Sequence, residues 1–163
     1  MNTRANDLLD GTEQQLDPKI AIVWAVGSAA PPLFLTIAAV VTILAVDAPE
    51  WMLGVALFGG VALTLAGVVW ARMAWARWRW TAWPDAVELR HGVLRVHESV
   101  VPYHRIQQID IVRDPLERVL GLSSVILRTA SASSDAKIPG LPEATADGLR
   151  RRLLTLAGVD DAV

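Results

Sequence analysis

The chain has 163 residues, 53% of them hydrophobic, which is high for a wholly soluble protein and directs attention first to membrane segments. Fifteen basic and 17 acidic residues give a net charge of −2, which excludes the global positive field of a nucleic-acid-binding protein. The absence of cysteine excludes disulfides, a thiol nucleophile and cysteine-ligated metals. Any electrostatic function must therefore be local.

Two long stretches lack any Asp, Glu, Lys or Arg: residues 20–46, with 27 residues, and residues 51–71, with 21. Both exceed the roughly 18 residues needed for a membrane-spanning helix. Because 19 mixed residues precede the first stretch and the second follows at once, the pattern is not that of a cleaved signal peptide. We predict two transmembrane helices, the first long enough to tilt or to kink at Pro31-Pro32.

Charges around the two spans predict their orientation. The connecting residues 47–50, DAPE, are acidic, whereas basic residues lie outside the spans at Arg4, Lys19, Arg72, Arg77 and Arg79. By the positive-inside rule, residues 1–19 and everything after the second span are expected in the cytoplasm. Because arginine greatly outnumbers lysine, as is typical of GC-rich bacterial genomes, the membrane is expected to be the plasma (inner) membrane of a bacterium.

Tryptophan and arginine alternate in residues 72–83, RMAWARWRWTAW, a composition typical of a membrane-interface anchor. Some of these tryptophans instead pack under the following domain, an alternative that applies most to Trp83. Within the second span, Ala56, Gly60 and Thr64 form a stripe of small residues that permits close helix contact. The candidate lipid-interface residues are Arg72, Trp75, Arg77, Trp78, Arg79, Trp80, Arg90 and Arg95.

After Pro84 the continuous apolar pattern gives way to alternation, so residues 84–163 are predicted to form a separate cytoplasmic domain. Val87 and Leu89 alternate with charged residues, His91-Gly92 supplies a turn, and Leu94 and Val96 alternate on a returning strand. The stretch IQQIDIVR continues as a further strand, with Ile109 and Ile111 on one face.

A short helix and further strands follow. In DPLERVLGL, Asp114 is the predicted cap, Pro115 the first helical residue and Gly121 the stop, with Leu116, Val119 and Leu120 on one side. SVILRTA and KIPGL are predicted strands. The last element, residues 142–157, is a predicted helix with Gly158 past its end and a buried stripe formed by Ala146, Leu149, Leu153 and Leu156.

These motifs carry a family resemblance. HGVL, VPYHRIQQIDI, DPLERVLGLSSVILRTA and ADGLRRRL resemble the bacterial pleckstrin-homology (PH) domain family of small two-span membrane proteins, over residues 80–156. The resemblance implies a small PH-like antiparallel β-barrel or sheet capped by a C-terminal helix, an α+β fold that follows the two-helix transmembrane hairpin. It also implies a binding or assembly role, often in homo-oligomers, without an established enzymatic activity.

Catalytic and metal-binding motifs are not evident. Strand parity and the expected turn separate His91, His97 and His104, so no two imidazoles are expected on one metal. The serines at 123, 124 and 131–134 lack the frame of a nucleophile turn, and no glycine-rich phosphate loop occurs. We therefore expect no catalytic residue, no metal and no cofactor.

The stretch VPYHRIQQID offers a candidate edge for a partner, formed by Tyr103, Arg105, Gln107 and Arg118. The alternative is a scaffold in which Arg105 or Arg118 forms an internal salt bridge with Asp110, Asp114 or Glu117. The consecutive residues Arg150, Arg151 and Arg152 point in different directions around a helix and cannot all face one bilayer, so we interpret them as solvent-exposed.

Three functions remain open. The first is a non-enzymatic membrane-anchored adaptor or accessory subunit that binds a protein partner or its own copies at the inner leaflet. The second is a module for anionic lipid headgroups, and the third a membrane-bound metal enzyme. The expected partners are the bilayer, a protein or a second copy, and anionic headgroups, but not nucleic acid.

Overall fold

A computed structural model describes residues 11–131 and 135–157. These residues divide into a helical unit, residues 21–74, and a sheet unit that combines residues 11–20 with residues 75–157. The predicted features at Arg4, Ser133, Ser134 and Gly158 lie outside the described residues.

Two long helices occupy the positions of the predicted spans. Helix α1 covers Lys19–Ala45, with Pro31 and Pro32 inside it, and helix α2 covers Glu50–Arg77. Both are long and apolar enough to cross a membrane. Helix α2 runs six residues beyond the predicted end of the second span, because no Gly or Pro interrupts residues 72–77.

The two helices touch through glycines within the helical unit. A Cβ on Gly60, a member of the predicted small-residue stripe, would overlap the Thr36 side chain. Seven residues further along, the Ser28 hydroxyl donates a hydrogen bond of 3.0 Å to the Gly67 carbonyl. Small residues at such contacts let helix backbones approach closely.

The sheet unit contains two antiparallel sheets. Sheet A has the order β1-β2-β3-β4 and is built from Glu13–Gln15, Arg79–Ala82, Ala86–His91 and His97–Pro102. A 3₁₀ turn, Tyr103–Arg105, leads into sheet B, with the order β5-β6-β7. Its strands are Ile106–Val112, Leu122–Thr129 and Ala136–Pro142, with helix α3, Pro115–Val119, between β5 and β6.

The C-terminal helix α4, Glu143–Ala157, packs on sheet B and confirms the predicted α+β fold. Ala146, Leu149 and Leu153 are fully buried, as predicted, whereas Leu156 is partly exposed. The two sheets share no paired strands among the described residues, so the sheet unit is an open PH-like sandwich and not a closed barrel.

The predicted β3–β4 hairpin needs correction. The turn is not His91-Gly92 but the five residues 92–96, so Leu94 and Val96 lie in the connection and are exposed. Gly92 adopts a φ of 119°, and a Cβ there would overlap the carbonyl oxygen of Arg95. Alternating apolar residues imitated a strand in a segment whose backbone forms a loop.

A β-bulge explains the altered pattern of isoleucines in β5. The pairing register shifts between Ile106 and Gln108, which resets the alternation of side chains. As a result Ile106 and Ile109, three residues apart, are both buried, whereas Ile111, predicted to share a face with Ile109, is only partly covered.

Helix α3 confirms its predicted ends but not its predicted buried side. Asp114 caps the helix, Pro115 begins it, and Gly121 ends it with a φ of 70°. The buried side chain is Glu117, which accepts hydrogen bonds from the Ser124 hydroxyl (2.9 Å) and the Asp114 N–H (3.3 Å), whereas Val119 is 81% exposed.

The segment before the first helix is part of the sheet unit, although the sequence predicted a separate N-terminal segment. Leu16 and Ile20 are buried in the core, with exposures of 2% and 0%. The Asp17 N–H donates to the Gly140 carbonyl (3.3 Å), and the Trp75 indole N–H donates to the Leu16 carbonyl (3.1 Å). Residues 79–82, predicted as part of the anchor, are strand β2.

Gly140→Ala tests this packing. Gly140 has a φ of 62°, and an added Cβ would lie 2.5 Å from the Ile20 Cβ. We expect a loss of about 2–4 kcal/mol in the free energy of unfolding, from left-handed strain together with overpacking. The measurement is thermal unfolding of the full chain in detergent, followed by near-UV circular dichroism.

Gly121→Ala is the matched control, because its φ is 70° and nothing lies within 4 Å of the added Cβ. Gly121→Ala therefore introduces only the left-handed backbone strain, which lowers the free energy of unfolding by about 1–2 kcal/mol. The double variant Ile20→Ala/Gly140→Ala should lose less than the sum of the two single variants, because alanine at position 20 removes the Cγ1 and Cδ1 contacts at 2.6 and 3.1 Å while keeping the Cβ contact. Equal losses for the two glycine variants would contradict the packing of Ile20 against β7.

Candidate binding surface

Three arginines surround one groove at the end of the β3–β4 hairpin. We name this the arginine groove, and it encloses about 300 Å³. It includes the last two residues of helix α2 and the start of the 92–96 turn. Its lining residues are Glu13, Ala76, Arg77, Arg79, Arg90, His91, Gly92 and Val96.

Strand register brings two of these arginines together. Arg79 stands directly opposite Arg90 in the β2–β3 pair, and both point away from the core because their neighbours Trp80 and Leu89 point into it. Like charges at directly opposed positions destabilise a sheet. Glu98 compensates Arg90 at 3.1 Å, whereas Arg79 has the uncharged Gln15 on its other side.

Backbone hydrogen bonds orient the remaining guanidinium groups. Arg77 donates to the Val93 carbonyl, and Arg79 Nη1 donates to the Trp78 carbonyl at 2.8 Å. These neutral acceptors fix the side chains without cancelling their charge, and each guanidinium has five N–H donors. With Glu13 as the acidic residue in its lining, the groove offers positive charge and free donors, a combination suited to phosphate or carboxylate.

The predicted interface tryptophans occupy different environments. Trp78 is buried and Trp80 is 1% exposed, so the prediction that they lie in the lipid interface is wrong. Trp80 faces the core because it alternates with the outward Arg79 and Thr81 in β2. Trp75 is partly exposed, and Trp83, expected to be the most covered, is exposed and donates to Glu88 at 3.1 Å.

Two predicted lipid-interface arginines do not line the groove. Arg95 is exposed in the 92–96 turn, and Arg72 is exposed in the helical unit. Of the predicted basic candidates, the structure therefore groups Arg77, Arg79 and Arg90.

His91 joins an aromatic stack, which corrects the prediction that the histidines are separated. His91 and His97 are directly opposed in the β3–β4 pair, with ring centroids 5.7 Å apart, and Trp78 stacks on the other side of His91 at 5.6 Å. The five-residue turn aligns them. Burial, and then the charge of His97, lower the pKa of His91, so the neutral ring is favoured in the folded protein.

The sequence predicted Tyr103 as part of a partner-binding edge. In the structure it is a buried scaffold residue. Its side chain is 3% exposed, and its hydroxyl donates to the Trp83 carbonyl at 2.7 Å. Burial, and then the charge of Asp85, raise the pKa of Tyr103 to about 12. The hydroxyl thus holds the segment after β2 against the 3₁₀ turn.

Arg105 and Gln107 are exposed and line a second pocket of about 390 Å³, together with His104, Thr129, Ala130 and Ser131. Arg118 is also exposed, but it follows the opposite end of β5. Because seven strand residues span about 23 Å, Arg118 does not share a site with Arg105.

The predicted alternative of an internal salt bridge is also wrong for these arginines. In the part of the chain that the structure describes, neither Arg105 nor Arg118 forms an ion pair. Asp110 pairs instead with Arg128 at 2.7 Å, because Arg128 lies on the neighbouring strand β6. The hydrogen bond from Arg128 lowers the pKa of Asp110.

The geometry defines a class of protein: a pair of apolar helices joined to an open PH-like sandwich with a basic groove. The family model of the bacterial PH domain matches residues 32–157, and the chain belongs to that family. No curated protein and no solved structure matches the chain.

We predict that His91 makes stability dependent on pH. Its lowered pKa means that the unfolded chain binds the proton more readily. Its contribution is therefore fully present above about pH 6.5, the unfolded value, and is lost as the pH falls through the lower folded value. His91→Gln should flatten the decline of the melting temperature between pH 7.5 and pH 5, measured in detergent.

His104→Gln is the control for this measurement, because His104 is an exposed histidine outside the stack. It should retain the decline of the parent protein. An unchanged decline in His91→Gln would show that other groups set the acid sensitivity.

Tyr103→Phe should destabilise the fold by about 1–2 kcal/mol, because it removes the donor to the Trp83 carbonyl and leaves that acceptor unpaired. In the parent protein, the raised pKa predicts stability that declines as the pH rises from 10 towards 12. The phenylalanine variant lacks this contribution. Thermal unfolding at pH 7.5 and pH 11 measures both effects, and equal melting temperatures at pH 7.5 would argue against the buried hydrogen bond.

Proposed function

We propose that the protein is a non-enzymatic, membrane-anchored binding module whose arginine groove recognises anionic groups at the bilayer surface. The observation that carries the proposal is the juxtaposition of Arg77, Arg79 and Arg90 around one groove that begins at the end of an apolar helix. PH domains are generally binding modules and not enzymes, and membership of the family supports this class of function.

The two apolar helices support an anchored module, and their connection to one folded unit supports a single location for that unit. Helices α1 and α2 contain 27 and 28 residues, enough to cross a hydrocarbon core of about 30 Å. Because residues 11–20 and 75–157 form one compact unit, a bilayer crossed by both helices has both segments on one side. The acidic connection and the basic flanks support the cytoplasm as that side, by the positive-inside rule.

The inner leaflet carries anionic lipids that attract basic residues, by about 1 kcal/mol for each arginine near the surface. Arg77 is six residues after Ala71, or about 9 Å along the helix, so it lies at the outer edge of a headgroup layer about 5–8 Å thick when residues 51–71 span the core. A phosphate there gains charge-assisted hydrogen bonds from Arg79 and relieves its repulsion with Arg90.

Protein binding is a second candidate function, and the edge of sheet A favours it. Strand β4 has no second neighbour among the described strands, and its first four residues, 97–100, are exposed. Such an edge accepts an added strand from a partner or another copy. In contrast, β1 has three residues, and β7 contains Pro139 and Pro142.

We expect the full chain in detergent to bind phosphatidylglycerol in preference to phosphatidylcholine, and Arg79→Gln/Arg90→Gln to lose most of that preference. Native mass spectrometry with equal amounts of the two short-chain lipids measures it. Raising the salt concentration should weaken binding to the parent protein, because the groove is open to solvent.

Arg151→Gln/Arg152→Gln is the control, since it removes the same charge from exposed positions on helix α4. It should retain the preference. Equal losses in both variants, or no preference in the parent protein, would remove the support for headgroup recognition; an oligomer or a bound protein seen in the same spectra would favour the second candidate.

A further inference from the structure

The turn between β3 and β4 exposes apolar side chains at its tip. Leu94 is 87% exposed and Val96 is 53% exposed. Isolated exposed apolar residues are common on protein surfaces and need no explanation alone. The position and surroundings of this turn distinguish it.

The backbone conformation of the turn does not depend on the side chains of Leu94 and Val96. Gly92 has a φ of 119° and approaches the Arg95 carbonyl so closely that a side chain would not fit. The carbonyl of Val93 accepts a hydrogen bond from Arg77. Leu94 is thus presented outward by a preformed loop and is not required to hold it together.

The hydrogen bond to Arg77 also ties the turn to the membrane-spanning element. Arg77 is the last residue of helix α2, about 9 Å beyond the end of the uncharged stretch 51–71. When residues 51–71 occupy the hydrocarbon core, Arg77, which holds the loop, is about 9 Å along the helix from that core, at the outer edge of a headgroup layer about 5–8 Å thick.

The charges around the turn match an anionic surface. Residues 92–96 contain Arg95 and no acidic residue, and Arg77, Arg79 and Arg90 lie in the adjoining groove. Apolar side chains at the tip with arginines behind them form the arrangement of segments that lie in the membrane interface. Tip and arginines share one end of sheet A.

We propose that the turn 92–96 inserts Leu94 and Val96 into the interface of the bilayer that the helices span. The inference rests on the membrane anchoring in the proposed function and not on headgroup selectivity. The inserted turn is a third attachment of the sheet unit, beside the two chain passages at Ile20 and Trp75. It holds the arginine groove against the headgroups.

Site-directed spin labelling tests the insertion, because the chain has no cysteine and a single introduced one is labelled uniquely. Leu94→Cys is compared with Val119→Cys, whose parent side chain is similarly exposed but lies on helix α3. The full chain is reconstituted in phosphatidylcholine nanodiscs and in nanodiscs that also contain phosphatidylglycerol. Power saturation then measures collisions with oxygen, which concentrates in lipid, and with a water-soluble nickel chelate.

At position 94 we expect oxygen collisions to rise and nickel collisions to fall relative to position 119, with a several-fold higher ratio of the two. Val96→Cys should show a smaller shift in the same direction. Equal nickel accessibility at positions 94 and 119 in both nanodiscs would overturn the proposal. Shielding from both reagents together with spin–spin broadening would also overturn it, because a second copy would then cover the tip.

The lipid composition separates this inference from groove selectivity. Insertion in phosphatidylcholine alone, without any preference for phosphatidylglycerol in the binding experiment, supports insertion of the turn and refutes headgroup selectivity of the arginine groove. A lipid preference with Leu94 accessible to water supports headgroup selectivity of the arginine groove and refutes insertion of the turn. Melting temperatures of the labelled variants equal to that of the parent protein show that the fold is intact.

Discussion

The packing of residues 11–20 into the sheet unit is the constraint on which the rest of the structure depends. Leu16 and Ile20 are core residues, and the left-handed conformation of Gly140 leaves the space that Ile20 occupies. The chain therefore leaves the sheet unit at Ile20 and returns to it at Trp75, where an indole N–H bonds the Leu16 carbonyl. Because both passages belong to one folded body, the helices between them form a hairpin whose two open ends are fixed together. The groove and the 92–96 turn then adjoin the end of α2 as a result of connectivity, without any dedicated linker.

Signals that act within a short stretch of sequence predicted several elements. The two spans, helix α4 with Leu149 and Leu153, and the ends of helix α3 follow from hydropathy, capping and turn chemistry that act within a few residues. Strand β1 was missed because three polar residues, Glu13–Gln15, carry no periodic signal and are a strand only through pairing with β2. The 92–96 turn and the bulge after Ile106 were missed because each depends on local backbone geometry that alternation does not encode. Strand pairing decided the case of β1 and backbone geometry the other two, and residue propensity decided none of them.

The candidate site shows the same division. Residue type pointed to Arg77, Arg79 and Arg90 one by one, but their grouping needed the register that places Arg79 opposite Arg90. Trp80 was assigned to lipid because an indole suits an interface, yet its alternation with Arg79 and Thr81 was visible in the sequence and identifies an inward position. The partners of Asp110 were not visible in this way, since Arg128 is 18 residues away and faces it only across the β5–β6 pair. Long-range pairs of this kind leave no signature in a single sequence.

Membrane anchoring lowers the affinity that the arginine groove needs for its ligand. A free domain that binds headgroups from solution needs enough contacts to offset the lost translational and rotational freedom, an estimated 4–15 kcal/mol. Two membrane helices remove most of this cost, because a tethered site meets its ligand at an effective concentration in the millimolar range or above. Three arginines, one of them already paired with Glu98, are few for a domain that binds from solution, and the proposed function therefore depends on the anchoring helices. In the function that we propose, the groove selects the lipid or anionic partner, while the helices keep the domain at the membrane. A local cluster of arginines at one end of sheet A is compatible with this proposal even though the net charge of the chain is slightly negative.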